Sequence, residues 1–324
     1  MRRAVVTRFG PAAEAVGVED YTPRPPGEGE VQVRMAAAAV NPSDLVAIAG
    51  AYPSRTPLPH IPGFEGVGRV CVVGPGVEGL REGDRVLPIG SPGAWQQVKT
   101  AEARWCFRPL PELTDEQAAL SYINPLTAVR MVRTYAAGPA SGPVAVNAAG
   151  SAIGGMLARL LQRRGVRPVA LVRGDASRPA VSGPEWAGAV ATDRPGWTEE
   201  LARLTGGGPQ VAFDAVGGEE GGRLALSLRS GGRLVHYGLL SGLPLAGDLA
   251  RRRPDVRIAL FRLRDWVHAA PRDEVQESLD EAGRLVLEGA AASRVQASFP
   301  LERVREAIQA AQERGGKGKV LLLP

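Results

Sequence analysis

From about residue 119 to about 264 one pattern repeats: a short apolar run, a glycine-containing turn, a segment with apolar residues at helical spacing, and another apolar run. That alternation predicts a parallel, doubly wound α/β sheet. GPVAVNAA (142–149) reads as a buried strand. Ala152, Ile153, Met156, Leu157, Leu160 and Leu161 then recur at helical spacing until Gly165 stops the helix. VRPVALVR (166–173), QVAFDAV (210–216) and GRLVHYG (232–238) supply further strands.

The flanking sequence has another character. Up to about residue 120 it runs in short β-like stretches (RRAVVT, EVQVRMAA, GVGRVCVVG, DRVLPI, WQQVKT) between Gly, Pro and Asp turns. Beyond 264, helical segments around 272–288 and 301–313 lead to KVLLLP, a strand that needs a sheet to join. The N-terminal β region is the simplest home for it. At 324 residues the chain also exceeds what one hydrophobic core usually serves. The expected organisation is therefore a mostly β domain made of 1–118 and 265–324, with the α/β domain 119–264 inserted.

Composition narrows the function classes. Of 39 basic residues only Lys99, Lys317 and Lys319 are lysines, and the only asparagines are Asn41, Asn124 and Asn147. This is the signature of a GC-rich coding bias, so the net charge of +5 is background and does not imply a nucleic-acid partner. Arg251, Arg252 and Arg253 read as a solvated turn before Pro254. Two cysteines, Cys71 and Cys106, are too few for a disulfide framework or a four-ligand zinc site and suit a reducing cytoplasm. No segment approaches 18 uninterrupted apolar residues, so the expectation is a soluble, unprocessed chain with no membrane partner.

The turn Asn147-Ala148-Ala149-Gly150-Ser151-Ala152-Ile153-Gly154-Gly155 places small residues where a strand meets a helix N-terminus. A pyrophosphate can approach backbone N–H groups there, favoured by the helix dipole. The spacing is not a strict G-x-G-x-x-G, and a tight structural turn would look similar. At the end of the next strand, where NAD sites carry an acid, stands Arg173. An arginine can grip a 2′-phosphate that an acid would repel, which favours NADP. Arg178 is a candidate second contact; Asp175, close by, argues the other way.

The chain resembles the zinc-free medium-chain dehydrogenases/reductases. The likeness rests on VNPSDLVAIAGAY (40–52), PGFEGVGRV (62–70), GAWQQV (93–98), INPLTAVRMV (123–132), FDAVGG (213–218), HYGLLSG (236–242) and ALFRLRDW (259–266). Within that family it looks most like the trans-2-enoyl thioester reductases. The resemblance implies a GroES-like fold for the mostly β domain and NADPH as cofactor. It also implies Asn41 and Thr127 near the nicotinamide ribose and ring, Gly150, Ser151, Ile153 and Gly154 along the pyrophosphate, and Arg173 at the 2′-phosphate. Val216, Gly217, Tyr237, Gly238 and Ser241 would complete the cofactor site at the strand ends, and Asn124 and Trp266 would line the substrate pocket. Where zinc-containing relatives carry their first ligand this chain reads Asn-Pro-Ser-Asp; His60 and Glu65 remain, but a catalytic zinc needs three protein ligands. No metal is expected.

Tyr52 matches the tyrosine that enoyl reductases of this type place beside the substrate. An ordinary phenol is protonated at neutral pH and can donate a hydrogen bond or a proton as enolate charge grows on a thioester oxygen. A tyrosine packing its loop beside Pro53 is the alternative. The expected activity is NADPH-dependent reduction of a 2-enoyl chain carried on CoA or acyl carrier protein, by a homodimer joined through the nucleotide domain. A quinone or enone reductase shares most of these motifs, and a non-catalytic NADPH-binding regulator would keep the fold without turnover.

Overall fold

In the strand β3 (Glu30–Val40), the apolar Val31, Val33 and Met35 fall on alternate positions and are buried, with Arg34 exposed and the intervening Gln32 buried and donating to Arg24 O at 2.7 Å. The computed structural model describes residues 1–51, 53–313 and 318–324, and its contacts divide the chain into two units. The first comprises Met1–Leu126 and Arg264–Pro324, the second Thr127–Leu263.

In the first unit β1 (Arg2–Val6) pairs antiparallel with β2 (Val16–Asp20). Two of the antiparallel partners of β3 are β4 (Gly66–Val73) and β6 (Val98–Glu102); β5 (Arg85–Pro88) and β7 (Cys106–Phe107) continue beyond β4. Trp95 is sealed in this core, with its indole N–H donating to Ala39 O at 2.9 Å.

The second unit holds β8 (Val144–Val146), β9 (Val169–Val172), β10 (Gly188–Ala191), β11 (Val211–Asp214), β12 (Arg233–His236) and β13 (Arg257–Leu260). They form one parallel sheet in the order β10-β9-β8-β11-β12-β13. Every residue of β8, β9 and β11 is buried, which is why these strands read as unbroken apolar runs and not as alternations. The order reverses between β8 and β11. Beyond the carboxyl ends of that pair lies the crevice where such sheets take ligands.

Last come β14 (Val295–Pro300) and β15 (Lys319–Leu323). The strand expected from KVLLLP lies parallel to β14 and antiparallel to β3, with Val320 opposite Val40. Among the described residues no helix is long and apolar enough to cross a membrane.

Candidate active site

In the second unit β8 runs into a turn where Ala148 has a φ of 45° and Ser151 caps the helix Ala152–Gln162. The Ser151 hydroxyl accepts from Gly154 N at 3.2 Å, satisfying one of the free donors of the helix start. A Cβ on Gly154 would stand 2.5 Å from Ala149 O, so only glycine lets the helix pack this closely on the backbone of the turn. A Cβ on Gly150 would meet Arg178 Nη2 at 2.9 Å. The Arg178 guanidinium therefore covers the turn, and its buried Nε has no hydrogen-bond partner. Ile153 is half-buried in the first turn of the helix, and Arg173 is exposed just past the end of β9. Asp175 is turned onto its own loop, accepting from Ser177 N at 2.8 Å and Ser177 Oγ at 2.7 Å, bonds that hold its carboxyl below its ordinary range.

At the end of β11, Asp214 is fully buried and gathers donors from three segments. Its Oδ1 accepts from Asn147 Nδ2 at 2.6 Å, Val216 N at 3.0 Å and Gly217 N at 3.1 Å; its Oδ2 lies 2.7 Å from His236 Nδ1. An ionised carboxylate only accepts, so that ring nitrogen carries the proton. The Asn147 carbonyl accepts in turn from Ala215 N at 2.7 Å. The segments after β11 and β12 are tied together: Tyr237 N donates to Asp214 O, Leu240 N to Ala215 O, and the Ser241 hydroxyl to Val216 O at 2.7 Å. A Cβ on Gly238 would stand 2.7 Å from Ala215 O. The Tyr237 hydroxyl has no hydrogen-bond partner, and burial beside the Asp214 charge pushes it up from the ordinary phenol range. Glu220 accepts from Thr192 Oγ1 at 2.9 Å, and burial raises its carboxyl against the opposing pull of Arg173. Thr127 is buried on the helix Ile123–Tyr135.

The first unit holds a second polar cluster. Asn41 caps the helix Pro42–Ile48, and its backbone N–H donates to Asp44 Oδ2 at 2.9 Å; Asp44 Oδ1 accepts from Phe64 N at 3.0 Å. The Asn41 amide nitrogen donates to Glu65 Oε1 at 2.8 Å, and its oxygen accepts from Lys319 Nζ. Glu65 Oε2 accepts from Ile123 N at 2.7 Å. Burial pushes Asp44 up to about 7 and raises Glu65, while it lowers Lys319, whose charge pulls both carboxyls back. Asn124, next to Ile123, is half-buried, as is Trp266 on the helix Leu263–Ala269. Tyr52 lies outside the described residues. His60 sits at a backbone bridge to Val6, its Nε2 buried without a partner.

The structure thus brings together Gly150, Ser151, Ile153, Gly154 and Arg178 at one turn, and Val216, Gly217, Tyr237, Gly238 and Ser241 at the ends of β11 and β12. Asn41, Asn124 and Trp266 belong to the other unit. Sequence reasoning gave no role to Asp214, His236 or Lys319, and weighed Glu65 only as a zinc ligand. A signal for Lys319 existed: in a chain with three lysines, two of them, Lys99 and Lys319, are 2% and 8% exposed.

Residues 27–116 match the alcohol dehydrogenase GroES-like domain, and residues 187–322 match the zinc-binding dehydrogenase family. The mitochondrial enoyl-[acyl-carrier-protein] reductase of Arabidopsis thaliana is 33% identical over 262 residues, covering 78% of this chain and 69% of the plant protein. The chain belongs to the medium-chain dehydrogenase/reductase superfamily. Among solved structures of this superfamily, a Bacillus thuringiensis protein assigned as an NADPH:quinone reductase superposes with a TM-score of 0.91 at 34% identity, covering 100% of this chain and 98% of that one. The Escherichia coli quinone oxidoreductase complexed with NADPH gives 0.91 at 25%, with both chains fully covered. Like these relatives, this dehydrogenase/reductase chain is an oxidoreductase. The zinc in one matched family's name finds no fitting donor set: among the described residues no three His, Cys, Asp or Glu side chains converge, and the Asn41 oxygen already faces an ammonium.

Proposed function

We propose that the protein reduces the C2=C3 double bond of a 2-enoyl thioester, on CoA or acyl carrier protein, with NADPH. The observation that carries the cofactor half is the Arg178 guanidinium over Gly150, its buried Nε without a hydrogen-bond partner, at a capped helix N-terminus, with Arg173 exposed at the next strand end. Two cations around one small-residue turn suit a cofactor with a pyrophosphate and a further phosphate. In this reading Arg178 faces the pyrophosphate and Arg173 the 2′-phosphate. Ser151, Ile153 and Gly154 shape the turn, and Val216, Gly217, Tyr237, Gly238 and Ser241 border it at the strand ends. Asn41 and Thr127 serve the nicotinamide end, Asn124 and Trp266 the acyl chain.

Bound NADPH supplies a hydride, which goes to the β-carbon of the substrate. The electron pair of the double bond then moves toward the thioester oxygen, and a proton must reach the α-carbon. Tyr52 is the donor we assign, either to the growing enolate oxygen or to that carbon. The thioester half of the reading is supported by the 33% identical plant relative, whose name states enoyl-[acyl-carrier-protein] reduction. The solved quinone reductases favour a second reading, reduction of a quinone or enone.

The deciding assay follows NADPH absorbance with crotonyl-CoA and, separately, with a quinone. Turnover of crotonyl-CoA is expected; turnover of the quinone alone refutes the thioester reading, and NADPH binding without turnover of either supports a regulator. We further propose a cytoplasmic homodimer joined through the nucleotide unit, where the edge strand β13 leaves Ile258 and Leu260 exposed and, among the described residues, its outer edge unpaired.

A further inference from the structure

A side-chain amide has one oxygen that only accepts and one nitrogen that only donates. The Asn41 oxygen meets Lys319 Nζ, which only donates, and its nitrogen meets Glu65 Oε1, which when ionised only accepts. That pairing permits one of the two amide orientations and forbids the other. Asn41 and Glu65 are each 2% exposed, and Lys319 8%, so little water competes. The remaining Glu65 oxygen takes the N–H of Ile123, tying the same carboxylate to the first turn of the helix that carries Asn124.

We propose that Glu65 and Lys319 are positioning residues of the reduction site, an oppositely charged clamp that holds the Asn41 amide in a single orientation and leaves its second Nδ2 hydrogen to serve the cofactor. The inference rests on the reading of Asn41 as a cofactor residue given above. The clamp requires a donor-only group on one side and an acceptor-only group on the other, which makes each partner's chemistry testable. Glu65→Gln must point an NH2 group at one of two N–H donors, Asn41 Nδ2 or Ile123 N. Asn41→Asp sets two carboxylates face to face. Combining them removes both conflicts, because the glutamine NH2 can donate to the new carboxylate while its oxygen still accepts from Ile123.

The test measures NADPH affinity by fluorescence titration, kcat/KM on whichever acceptor the wild type turns over, and the melting temperature. Asn41→Ala and Lys319→Met are each expected to lower kcat/KM by about tenfold or more, with the double variant no worse than Asn41→Ala alone, because the second change acts only through the first. Asn41→Asp is expected to be the most damaging single change, and adding Glu65→Gln to recover about tenfold. A buried pair with a merely structural role would move kcat/KM and NADPH affinity only in step with the melting temperature, so loss and recovery at an unchanged melting temperature mark positioning. If Lys319→Met fails to fold, the Asn41→Asp and Glu65→Gln pair decides, since it keeps Lys319. Penalties that multiply in Asn41→Ala/Lys319→Met, or a double Asn41→Asp/Glu65→Gln no better than Asn41→Asp, overturn the positioning role while leaving the proposed function standing. A wild type that binds no NADPH overturns both.

Discussion

Asp214 offers the sharpest test of how the second unit is held together. Replacing it with alanine leaves Asn147 Nδ2, Val216 N, Gly217 N and His236 Nδ1 without their acceptor in a site with no exposure. Each orphaned buried donor costs about 1–3 kcal/mol, less where water or a neighbouring carbonyl replaces the carboxylate. Taking half of the four as unrescued, Asp214→Ala should cost ~2–6 kcal/mol, a large part of the ~5–15 kcal/mol that holds a domain. At roughly 3 °C per kcal/mol, the melting temperature of this unit should fall by about 6–18 °C. Asp214→Asn should be far milder. Its oxygen can keep the three Oδ1 donors while its NH2 turns to His236, which becomes an acceptor by moving its proton to Nε2. Neutral hydrogen bonds replace charge-assisted ones, for a loss of about 1–2 kcal/mol. Calorimetry with amide exchange at β11 would measure both variants, and NADPH titration would report on the Val216–Gly217 segment. An alanine variant within about 1 kcal/mol of wild type, or an asparagine variant as damaging as alanine, would refute this account.

Four further outcomes are expected. Gly154→Ala drives a Cβ into backbone and should cost ~1–3 kcal/mol as well as NADPH affinity, whereas Gly150→Ala meets only the movable Arg178 guanidinium and should weaken NADPH while sparing the melting temperature. Arg173→Ala should weaken NADPH by about 10- to 100-fold and leave NADH nearly untouched, while Arg178→Ala, acting at the pyrophosphate, should weaken both; paired titrations separate the two roles. Lys99 donates to Pro88 O and Ser91 O, each at 2.7 Å, and burial lowers it from 10.5 to about 8. Its neutral form still has the two hydrogens those carbonyls need. A lowered folded value means stability that is present above 10.5 and lost as pH falls through 8, so between pH 8 and 10 the wild type should gain ~2 kcal/mol relative to Lys99→Met, and a constant difference in urea unfolding would contradict this. Tyr52→Phe should cut kcat on the enoyl substrate by roughly 10²-fold, and an unchanged kcat would remove Tyr52 from the chemistry.

What the sequence made legible follows from burial. The strands β8, β9, β11 and β12 were readable because the interior of a parallel sheet demands continuous apolar runs. The strand β10 (GAVA) and the strand β13, which opens on Arg257, went unassigned, since four residues at the flanks of a sheet, small or partly polar, carry little pattern. The phosphate turn was visible from its small residues, but the Arg178 guanidinium above Gly150 comes from a loop after β9 that no local spacing predicts. Asp214 stood in plain view inside FDAVGG; its role did not, because its partners Asn147 and His236 lie 67 and 22 positions away. Asn41 and Asn147 each survive the coding bias, and each amide is fixed by two buried partners. The same argument applied to lysine would have pointed at Lys99, Lys317 and Lys319 together.

The placement of β15 beside β3 has a consequence for synthesis on the ribosome. Lys319 and Asn41 meet across 278 positions, while residues 127–263 form a unit with no strand borrowed from elsewhere. The inserted unit can therefore mature on the nascent chain while Ala38–Val40 of β3 still waits for its neighbour. At about 5–20 residues per second that wait lasts on the order of tens of seconds, during which an unpaired strand edge is open to wrong partners. Lys319 reaches Asn41 only after all of residues 127–263 have been made, so a partly translated chain can hold a folded second unit before the Asn41 cluster closes.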